Sequence, residues 1–259
     1  MKWLLRIIIF LYVTLCGVLY FIQQKVIFRP EVIEEDFSYR FGEEVEIKLE
    51  EDLYMNALWV KENPSQQTNK AILYLHGNRG SIRFGTHQIS EMKGNGYDVF
   101  IPDYRSYGKT EGQLINDAQM LEDAHKAFEY LATKYKPENI IVVGYSLGTG
   151  MAAFVASQAS IKHLLLIAPF TSLTDIKNQY LWFTPDFLLR FKLNTEKHLK
   201  NVDCPISIIH GTNDQIVPFK FSKEMESQYQ EKVTLYPLDG VGHRRVIFSP
   251  LIGKLIRRF

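Results

Sequence analysis

The sequence contains little cysteine, which excludes two kinds of site. The 2 cysteines among 259 residues, Cys16 and Cys204, lie far apart, without the close spacing of a cysteine-based metal motif. Cys16 lies in an apolar run, and Cys204 stands directly before a proline at the start of a predicted buried strand. We therefore expect no disulfide between them and no metal site, and cysteine usage says almost nothing about the redox compartment.

An excess of charge of either sign is also lacking. The net charge is +1 and the basic residues are scattered along the chain, so no strong field attracts nucleic acid, and we expect no nucleic-acid partner. Internal repeats and low-complexity segments are absent from the sequence as well. The remaining composition, 46% hydrophobic and 23% charged, is ordinary for a folded globular protein, and the length fits one large α/β domain.

One long apolar run begins near the N-terminus. Residues 7–22 carry no charge, and the run extends over residues 3–28 with Arg6 and Lys25 as its charged interruptions. Crossing a bilayer takes about 20 apolar residues, and charged side chains near the ends of such a helix reach the interface. The sequence therefore predicts a transmembrane anchor over residues 1–28 that contacts the bilayer along the whole run.

Three other interpretations of this run stay open. A cleaved signal peptide is disfavoured because no small-x-small site follows the apolar core. A lipoprotein signal ending at Cys16 is disfavoured because Leu15 precedes it, where a small residue is expected. The third alternative is a buried helix of the globular domain.

The charges around the run indicate an orientation. Lys2, Arg6 and the terminal amine precede it, and Lys25 and Arg29 follow it. The positive-inside rule then favours, by about one charge, a cytoplasmic N-terminus with the body of a single-pass protein on the non-cytoplasmic side.

The remaining chain alternates strand-like and helix-like segments after a polar linker over residues 29–43. Apolar runs predict strands at 44–49, 53–60, 71–75, 97–101, 139–143, 164–167, 206–209 and 233–236, the second one ended by Pro64. Helical patterns lie through 90–92, over 117–135, 149–158 and 219–229, and from 251. Such alternation predicts one α/β domain over 44–259, whose mostly parallel sheet is covered on both faces.

One insertion, residues 170–200, is longer than a simple connection between strands. It contains the aromatic residues Trp182, Phe183 and Phe187, and we predict that it forms a short helical cap. These side chains could pack onto the body, line an acyl pocket or contact the membrane. We consider these three aromatic residues, together with Tyr145, to be candidate substrate-binding residues.

The pentapeptide GYSLG at residues 144–148 is the decisive motif. It follows a β-branched run and precedes a helical segment, which is the context of a nucleophile elbow. A sharp strand-to-helix turn strains the backbone of Ser146, so its neighbours two positions away must lack side chains. The turn also places the serine at a helix N-terminus, where a developing anion is favoured. The motif predicts Ser146 as a nucleophile.

A nucleophilic serine needs a base and an orienting acid, which follow it in the order acid, base. His243 is the histidine that lies beyond all predicted strands, between them and the final helix, whereas His76, His163 and His210 adjoin strands and are assigned structural roles. Asp214 follows a predicted buried strand. Its competitors fit less well, because Asp239 lies four residues before His243 and Asp203 precedes its strand. We predict the triad Ser146, Asp214 and His243.

The oxyanion hole is predicted from backbone groups. One donor is the N–H of Leu147, directly after the nucleophile, and the second is the N–H of Asn78 in the loop after the strand at 71–75. Because these are backbone donors, the side chain of Asn78 is not expected to matter. The mechanism implies no cofactor.

Six motifs occur in the order seen in a known family: LYLHGN, DYRSYGKTEG, GYSLGTG, PFTSL, HGTNDQIVP and GVGH. Over residues 40–259 the chain resembles α/β-hydrolases of the membrane-anchored subgroup related to protein depalmitoylases. The resemblance implies an α/β-hydrolase fold, with a mostly parallel eight-stranded sheet, helices on both faces, a short helical cap and one preceding transmembrane helix. One departure is Ser106, where the family usually has glycine in a loop that borders the site. The DYR stretch before it is interpreted as structural, with a buried ion pair that organises the loop.

These features together predict hydrolysis of an ester or thioester through an acyl-enzyme, on a small-molecule or lipid-like acyl substrate near a membrane. Hydrolysis of small peptides and acyl transfer use the same residues and stay open as alternatives. A non-catalytic domain that binds a lipid or protein is the alternative from a different class. The sequence carries no signal for an oligomeric state.

Overall fold

The structure, a computed structural model, describes residues 1–63, 65 and 68–259, so the predicted strand end at Pro64 lies outside the described residues. The described strands are β1 (Arg29–Pro30), β2 (Glu43–Glu50), β3 (Leu53–Val60), β4 (Ala71–Leu75), β5 (Arg79–Gly80), β6 (Asp98–Pro102), β7 (Ile140–Tyr145), β8 (His163–Ile167), β9 (Ile206–Gly211) and β10 (Val233–Leu238). The described α-helices are α1 (Lys2–Ile27), α2 (Ile82–Gln88), α3 (Asp117–Ala132), α4 (Gly148–Gln158), α5 (Leu173–Tyr180), α6 (Thr195–Leu199), α7 (Lys220–Gln228), α8 (His243–Val246) and α9 (Leu251–Ile256).

The main sheet has eight strands in the order β10-β9-β8-β7-β4-β6-β3-β2. Strands β10 to β6 in this order run parallel, and β3 and β2 are added antiparallel. This confirms the predicted mostly parallel eight-stranded sheet. Because parallel strands end at the same edge, the loops after β4, β7, β9 and β10 meet there, and these loops carry the predicted site residues.

Both faces of the sheet are covered because successive residues of the central strands enter separate apolar layers. Leu73 of β4 packs in one layer with Met151 of α4, and Ile72 packs in the other with Ile252 of α9. Strands β4 and β7 are buried along their whole length. A continuous apolar run is what a strand between two helical layers requires.

Helix α1 is 26 residues long, or about 39 Å at the α-helical rise, and is long and apolar enough to cross a membrane. From Tyr12 onwards the helix also contacts the cap region. The Tyr12 hydroxyl donates to the carbonyl of Phe183 at 2.9 Å, and the Gln23 amide donates to the carbonyl of Leu188 at 3.0 Å. The helix is thus joined to the cap region along about three turns.

The chain directly after α1 is also bonded to the body. Phe28 is buried, and its ring packs edge-on against Phe191 with centroids 4.7 Å apart. Strand β1 pairs with β5, and the N–H of Ile33 donates to the carbonyl of Gly108 at 2.9 Å. The first residues of the predicted 29–43 linker therefore have hydrogen-bond partners in the body. The domain boundaries themselves stay a prediction.

Two predictions for the loop after β6 have structural counterparts. The guanidinium of Arg105 makes two hydrogen bonds to the carboxylate of Asp123, at 2.7 and 3.0 Å, and both side chains are buried. Ser106 has a φ of 69°, in the left-handed region that glycine prefers. Its hydroxyl donates to the carbonyl of Gly112 at 2.8 Å. The serine therefore takes a glycine-like conformation and gains a hydrogen bond there.

The cap and the first helix of the body differ in detail from the sequence interpretation. The predicted cap, residues 170–200, contains α5, a short 3₁₀ turn over Asp186–Leu188, and α6. The helix predicted through residues 90–92 lies earlier, as α2, and ends in a 3₁₀ turn over Ile89–Glu91. Ser81 caps α2 by accepting from the N–H of Arg83, and this N-cap fixes where the helix begins.

The acid stability of the fold should depend on His163. This buried residue begins β8, its Nε2 lies 3.0 Å from the hydroxyl of Ser207, and its ring stacks on Phe259. Burial, with a smaller contribution from Lys162, lowers its pKa to about 4. Between pH 6.5 and 4 the unfolded chain therefore binds more protons, so stability falls as pH falls through this window. In His163→Gln the loss from pH 7.5 to 4.5 should be smaller by roughly 2 kcal/mol.

The measurement is urea unfolding of the full chain in detergent at both pH values. Gln has no ionisable group and can still bond Ser207, and comparing each protein with itself at two pH values cancels the lost packing of the ring on Phe259. Equal pH dependence of the wild type and His163→Gln would contradict the role of His163.

Candidate active site

The turn between β7 and α4 holds Ser146 in a strained conformation. Its φ is 51°, in the left-handed region that costs a residue with a side chain about 1–2 kcal/mol. A Cβ on Gly148 would overlap the carbonyl oxygen of Leu75, and a Cβ on Gly144 would lie 2.6 Å from the carbonyl oxygen of Gly148. Both positions therefore require glycine, as the elbow interpretation predicts. The N–H of Ser146 donates to the carbonyl of Ile167 at 2.9 Å, which ties the turn to β8.

The structure brings the three predicted triad residues into one hydrogen-bonded chain. Nε2 of His243 lies 2.9 Å from Oγ of Ser146, and Nδ1 of His243 lies 2.6 Å from Oδ2 of Asp214. Because an ionised carboxylate only accepts, Nδ1 carries the proton and Nε2 is free to accept from the serine hydroxyl. This is the arrangement of nucleophile, base and orienting acid that acyl transfer needs. The catalytic roles of the three residues stay a prediction.

The carboxylate of Asp214 accepts hydrogen bonds on both oxygens. Oδ1 accepts from the N–H groups of Ile216 and Val217, each at 2.8 Å, and Oδ2 accepts from His243 and from Nε2 of His210 at 3.1 Å. Burial raises the pKa of Asp214, but the hydrogen bonds from His210 and His243, with the charge of His243, hold it well below its usual range. The acid therefore stays ionised and can stabilise an imidazolium at His243.

His210 is a site residue that the sequence interpretation assigned only a structural role. Its Nδ1 lies 2.6 Å from the hydroxyl of Ser222, and its Nε2 also lies 3.0 Å from the carbonyl of Val217. A carbonyl and a carboxylate both accept, so Nε2 carries the proton and Nδ1 accepts from Ser222. The signal that could have revealed this contact is the spacing of four residues between His210 and Asp214, which allows both side chains to meet across one loop.

The predicted oxyanion donors lie in loops next to the serine. A Cβ built on Gly77, directly before Asn78, would lie 3.6 Å from Cβ of Ser146, so this loop passes close to the nucleophile. Within the described residues, the N–H groups of Leu147 and Asn78 have no protein acceptor. Both are therefore available to an oxyanion, and that role stays a prediction.

The side chain of Asn78, which was not expected to matter, has a structural partner. Its amide donates to the carbonyl of Ile27, the last residue of α1, at 2.8 Å. The backbone carbonyl of Asn78 accepts from the N–H of Arg29 at 2.9 Å and from the hydroxyl of Tyr107 at 2.8 Å. The end of α1 thus holds the loop of the predicted second oxyanion donor.

The candidate substrate-binding residues are found in different environments. Tyr145 is buried, its hydroxyl donates to the carbonyl of His243 at 3.1 Å, and its ring stacks on the imidazole, so it supports the base. Trp182 and Phe187 are each 78% exposed, and Phe183 contacts α1 through its carbonyl. The structure therefore brings Tyr145 to the triad and leaves Trp182 and Phe187 on the surface, and contact of any of these residues with substrate stays a prediction.

A second serine–histidine contact, between Ser207 and His163, lies at the opposite edge of the sheet. Both residues are near the amino ends of their strands, β9 and β8. In the described part of the chain, no carboxylate accepts a hydrogen bond from His163. The pair lacks the orienting acid and the elbow strain of Ser146, and we assign it to packing.

The fold and the site define the α/β-hydrolase class, and comparison with known proteins agrees. A sequence profile of the family described as serine aminopeptidase, S33, matches residues 66–194. The esterase Pf2001 of Pyrococcus furiosus superposes with a TM-score of 0.70 at 21% identity, over 89% of this chain and 99% of the esterase. At that identity the likeness shows the fold.

Relatives by sequence include lysophosphatidylserine lipase ABHD12 of Danio rerio, 28% identical over 76% of this chain and 60% of the lipase. The chain thus spans less than two thirds of that relative's length. An uncharacterized protein of Mycobacterium tuberculosis is 27% identical over 94% of this chain and 90% of its own length. The chain is thus similar to α/β-hydrolases in sequence and in fold, which bears out the α/β-hydrolase part of the resemblance seen in the six motifs.

We expect His210 to position Asp214 for catalysis. In His210→Leu the carboxylate loses one hydrogen bond, and a bond to a charged group is worth about 1.5–3 kcal/mol. The turnover number for a p-nitrophenyl ester should fall by roughly tenfold or more, with KM unchanged because His210 is fully buried beside Asp214.

His210→Gln, whose amide can still donate to Asp214, should recover most of the turnover. His163→Gln is the matched control, since it alters a buried histidine of the same sheet that does not contact Asp214. A rise in KM with unchanged turnover in His210→Leu would contradict the positioning role.

Proposed function

We propose that this chain is a serine hydrolase that cleaves carboxylic ester or thioester bonds of apolar acyl substrates near a membrane. The observation that carries the proposal is the unbroken chain of hydrogen bonds from Ser146 through His243 to Asp214, on a strained turn after a buried parallel strand. The relatives named as a lipase and an esterase support ester chemistry. The profile described as a serine aminopeptidase supports peptide hydrolysis as the second candidate.

The proposed reaction has two halves. Oγ of Ser146 attacks the acyl carbonyl carbon and its proton passes to Nε2 of His243, while the N–H groups of Leu147 and Asn78 bind the oxyanion. His243 then returns the proton to the leaving alcohol or thiol, and an acyl-enzyme remains on Ser146. Water attacks this ester with His243 as base, the carboxylic acid leaves, and Ser146 recovers its proton. Asp214 stays ionised throughout.

We further propose that α1 anchors the protein as a single-pass helix with a cytoplasmic N-terminus and the body on the other side. The part of α1 before Tyr12 is only about 15 Å long, roughly half the thickness of a hydrocarbon core. If α1 spans the bilayer, the cap surface that adjoins it therefore lies in the lipid. The exposed side chains of Trp182 and Phe187 fit this environment, which supports membrane contact as their role.

The nucleophile is tested by substitution of two serines. Ser146→Ala should abolish labelling of the full chain by a fluorophosphonate and lower p-nitrophenyl ester hydrolysis by at least about a thousandfold. Ser207→Ala is the matched control, because Ser207 also contacts a histidine, and it should keep both activities. Labelling of Ser146→Ala at the wild-type rate, or an unlabelled wild type, would refute the hydrolase proposal.

The same preparations decide between bond types. Hydrolysis of an alanine p-nitroanilide with higher kcat/KM than the esters, lost in Ser146→Ala, would favour the peptidase over the esterase.

Protease protection tests the membrane arrangement. In sealed vesicles that expose the cytoplasmic face, added protease should remove an N-terminal tag and leave the body intact until detergent is added. Digestion of the body with protection of the tag would reverse the orientation. Digestion of both without detergent would show that α1 lies on one side of the bilayer.

A further inference from the structure

A cleft of about 300 Å³ lies between α1 and the cap, a volume at the lower end for small-molecule sites. We call it the anchor–cap cleft. On the α1 side its walls include Leu19 and Ile22, and on the cap side they include Leu173, Ile176 and Leu188. The cleft is open to its surroundings, since its wall residue Ile22 is 40% exposed. Its wall is therefore formed jointly by the apolar helix and the body.

The ammonium and amide side chains that line the cleft, those of Lys177 and Gln23, are already bonded within the protein. The ammonium of Lys177 donates to the carboxylate of Asp186 at 2.6 Å and to the carbonyl of Thr184 at 2.7 Å. The amide of Gln23 donates to the carbonyl of Leu188 and accepts from the N–H of Arg190. These groups offer no unpaired charge for a polar ligand, and most of the remaining wall residues are aliphatic, so the cleft fits a hydrocarbon chain.

The walls of the cleft are bonded to two of the loops that form the active site. Ile27, a wall residue, accepts the hydrogen bond from the amide of Asn78, in the loop of the predicted second oxyanion donor. Tyr180, another wall residue, has its hydroxyl 3.1 Å from the carbonyl oxygens of Gln215 and Ile216, directly after Asp214. Wall residues of the cleft thus make hydrogen bonds to the loop of the predicted second oxyanion donor and to the loop that carries Asp214.

We propose that the anchor–cap cleft binds the acyl chain of the substrate that Ser146 cleaves, so that α1 is a wall of the acyl-binding site as well as an anchor. This rests on the proposed hydrolase function. The occupant is one unbranched acyl chain, because the walls are mostly aliphatic and their ammonium and amide groups are paired. With α1 in lipid, the open side of the cleft faces the bilayer, and an acyl chain can enter it sideways without crossing water.

The test is the dependence of kcat/KM on acyl length, measured with p-nitrophenyl esters from butyrate to dodecanoate on the full chain in detergent. Each methylene that enters the cleft should raise kcat/KM by about fourfold, the equivalent of about 0.8 kcal/mol, until the cleft is filled. In Leu19→Trp the indole occupies the cleft, so kcat/KM for decanoate should fall at least about tenfold while butyrate changes less than about twofold.

The matched control is Val18→Trp. Val18 is adjacent in the same helix, is 50% exposed, and in the described part of the chain is not a wall residue. It should leave the decanoate-to-butyrate ratio unchanged. A second variant, Leu19→Ala, enlarges the cleft and should move the optimum towards longer chains, which separates filling of the cleft from general damage to the fold.

The outcomes separate this inference from the proposed function. An unchanged decanoate-to-butyrate ratio in Leu19→Trp, with normal fluorophosphonate labelling of Ser146, would overturn the cleft assignment and leave the hydrolase intact. An equal change in Val18→Trp and Leu19→Trp would also overturn it, because the effect would belong to the helix and not to the cleft. Loss of labelling and of all ester hydrolysis in the wild type would refute both.

Discussion

The close approach of α4 to the carboxyl ends of β4 and β7 is the contact on which the site depends. The backbone of Gly148 touches the carbonyl of Leu75, and Gly144 touches the backbone of Gly148, so a side chain at either glycine would separate the helix from the sheet. This contact sets the positive φ of Ser146 and directs its hydroxyl at His243. The helix can come this close because its residues from Gly148 to Ala153 are all buried. The strain at one serine is thus supported by the burial of the first six residues of α4.

Much of the fold can be predicted from local sequence because a parallel sheet constrains both the composition of its strands and the position of the loops that follow them. A strand covered on both faces must be apolar throughout, and the segments around Ile72 and Val142 show this directly. Loops that follow such strands must meet at one edge, so the order of Ser146, Asp214 and His243 already indicates that they come together. Their contacts at 2.9 and 2.6 Å agree with that expectation.

The cap could not be read from the sequence in the same way. The aromatic side chains of Trp182 and Phe187 indicate a preference for apolar surroundings. They do not indicate whether each ring packs against the protein or lies on its surface. No sheet register fixes the direction of a side chain in this insertion, and the structure leaves both rings exposed. The contact between Asn78 and Ile27 likewise joins residues 51 positions apart. Such a contact depends on how α1 docks, which neither segment encodes by itself.

The bond between Ile27 and Asn78 also affects how the proposed hydrolase would reach its substrate. A domain on a flexible tether samples a broad volume above its anchor, whereas a domain bonded to the last turn of its helix stays at one height. With α1 in a bilayer, Ser146 therefore moves in a thin layer parallel to the surface, and its encounters depend on molecules per unit area. Diluting a substrate with inert lipid would then slow the reaction at constant bulk concentration, which is the kinetic signature of chemistry confined to two dimensions.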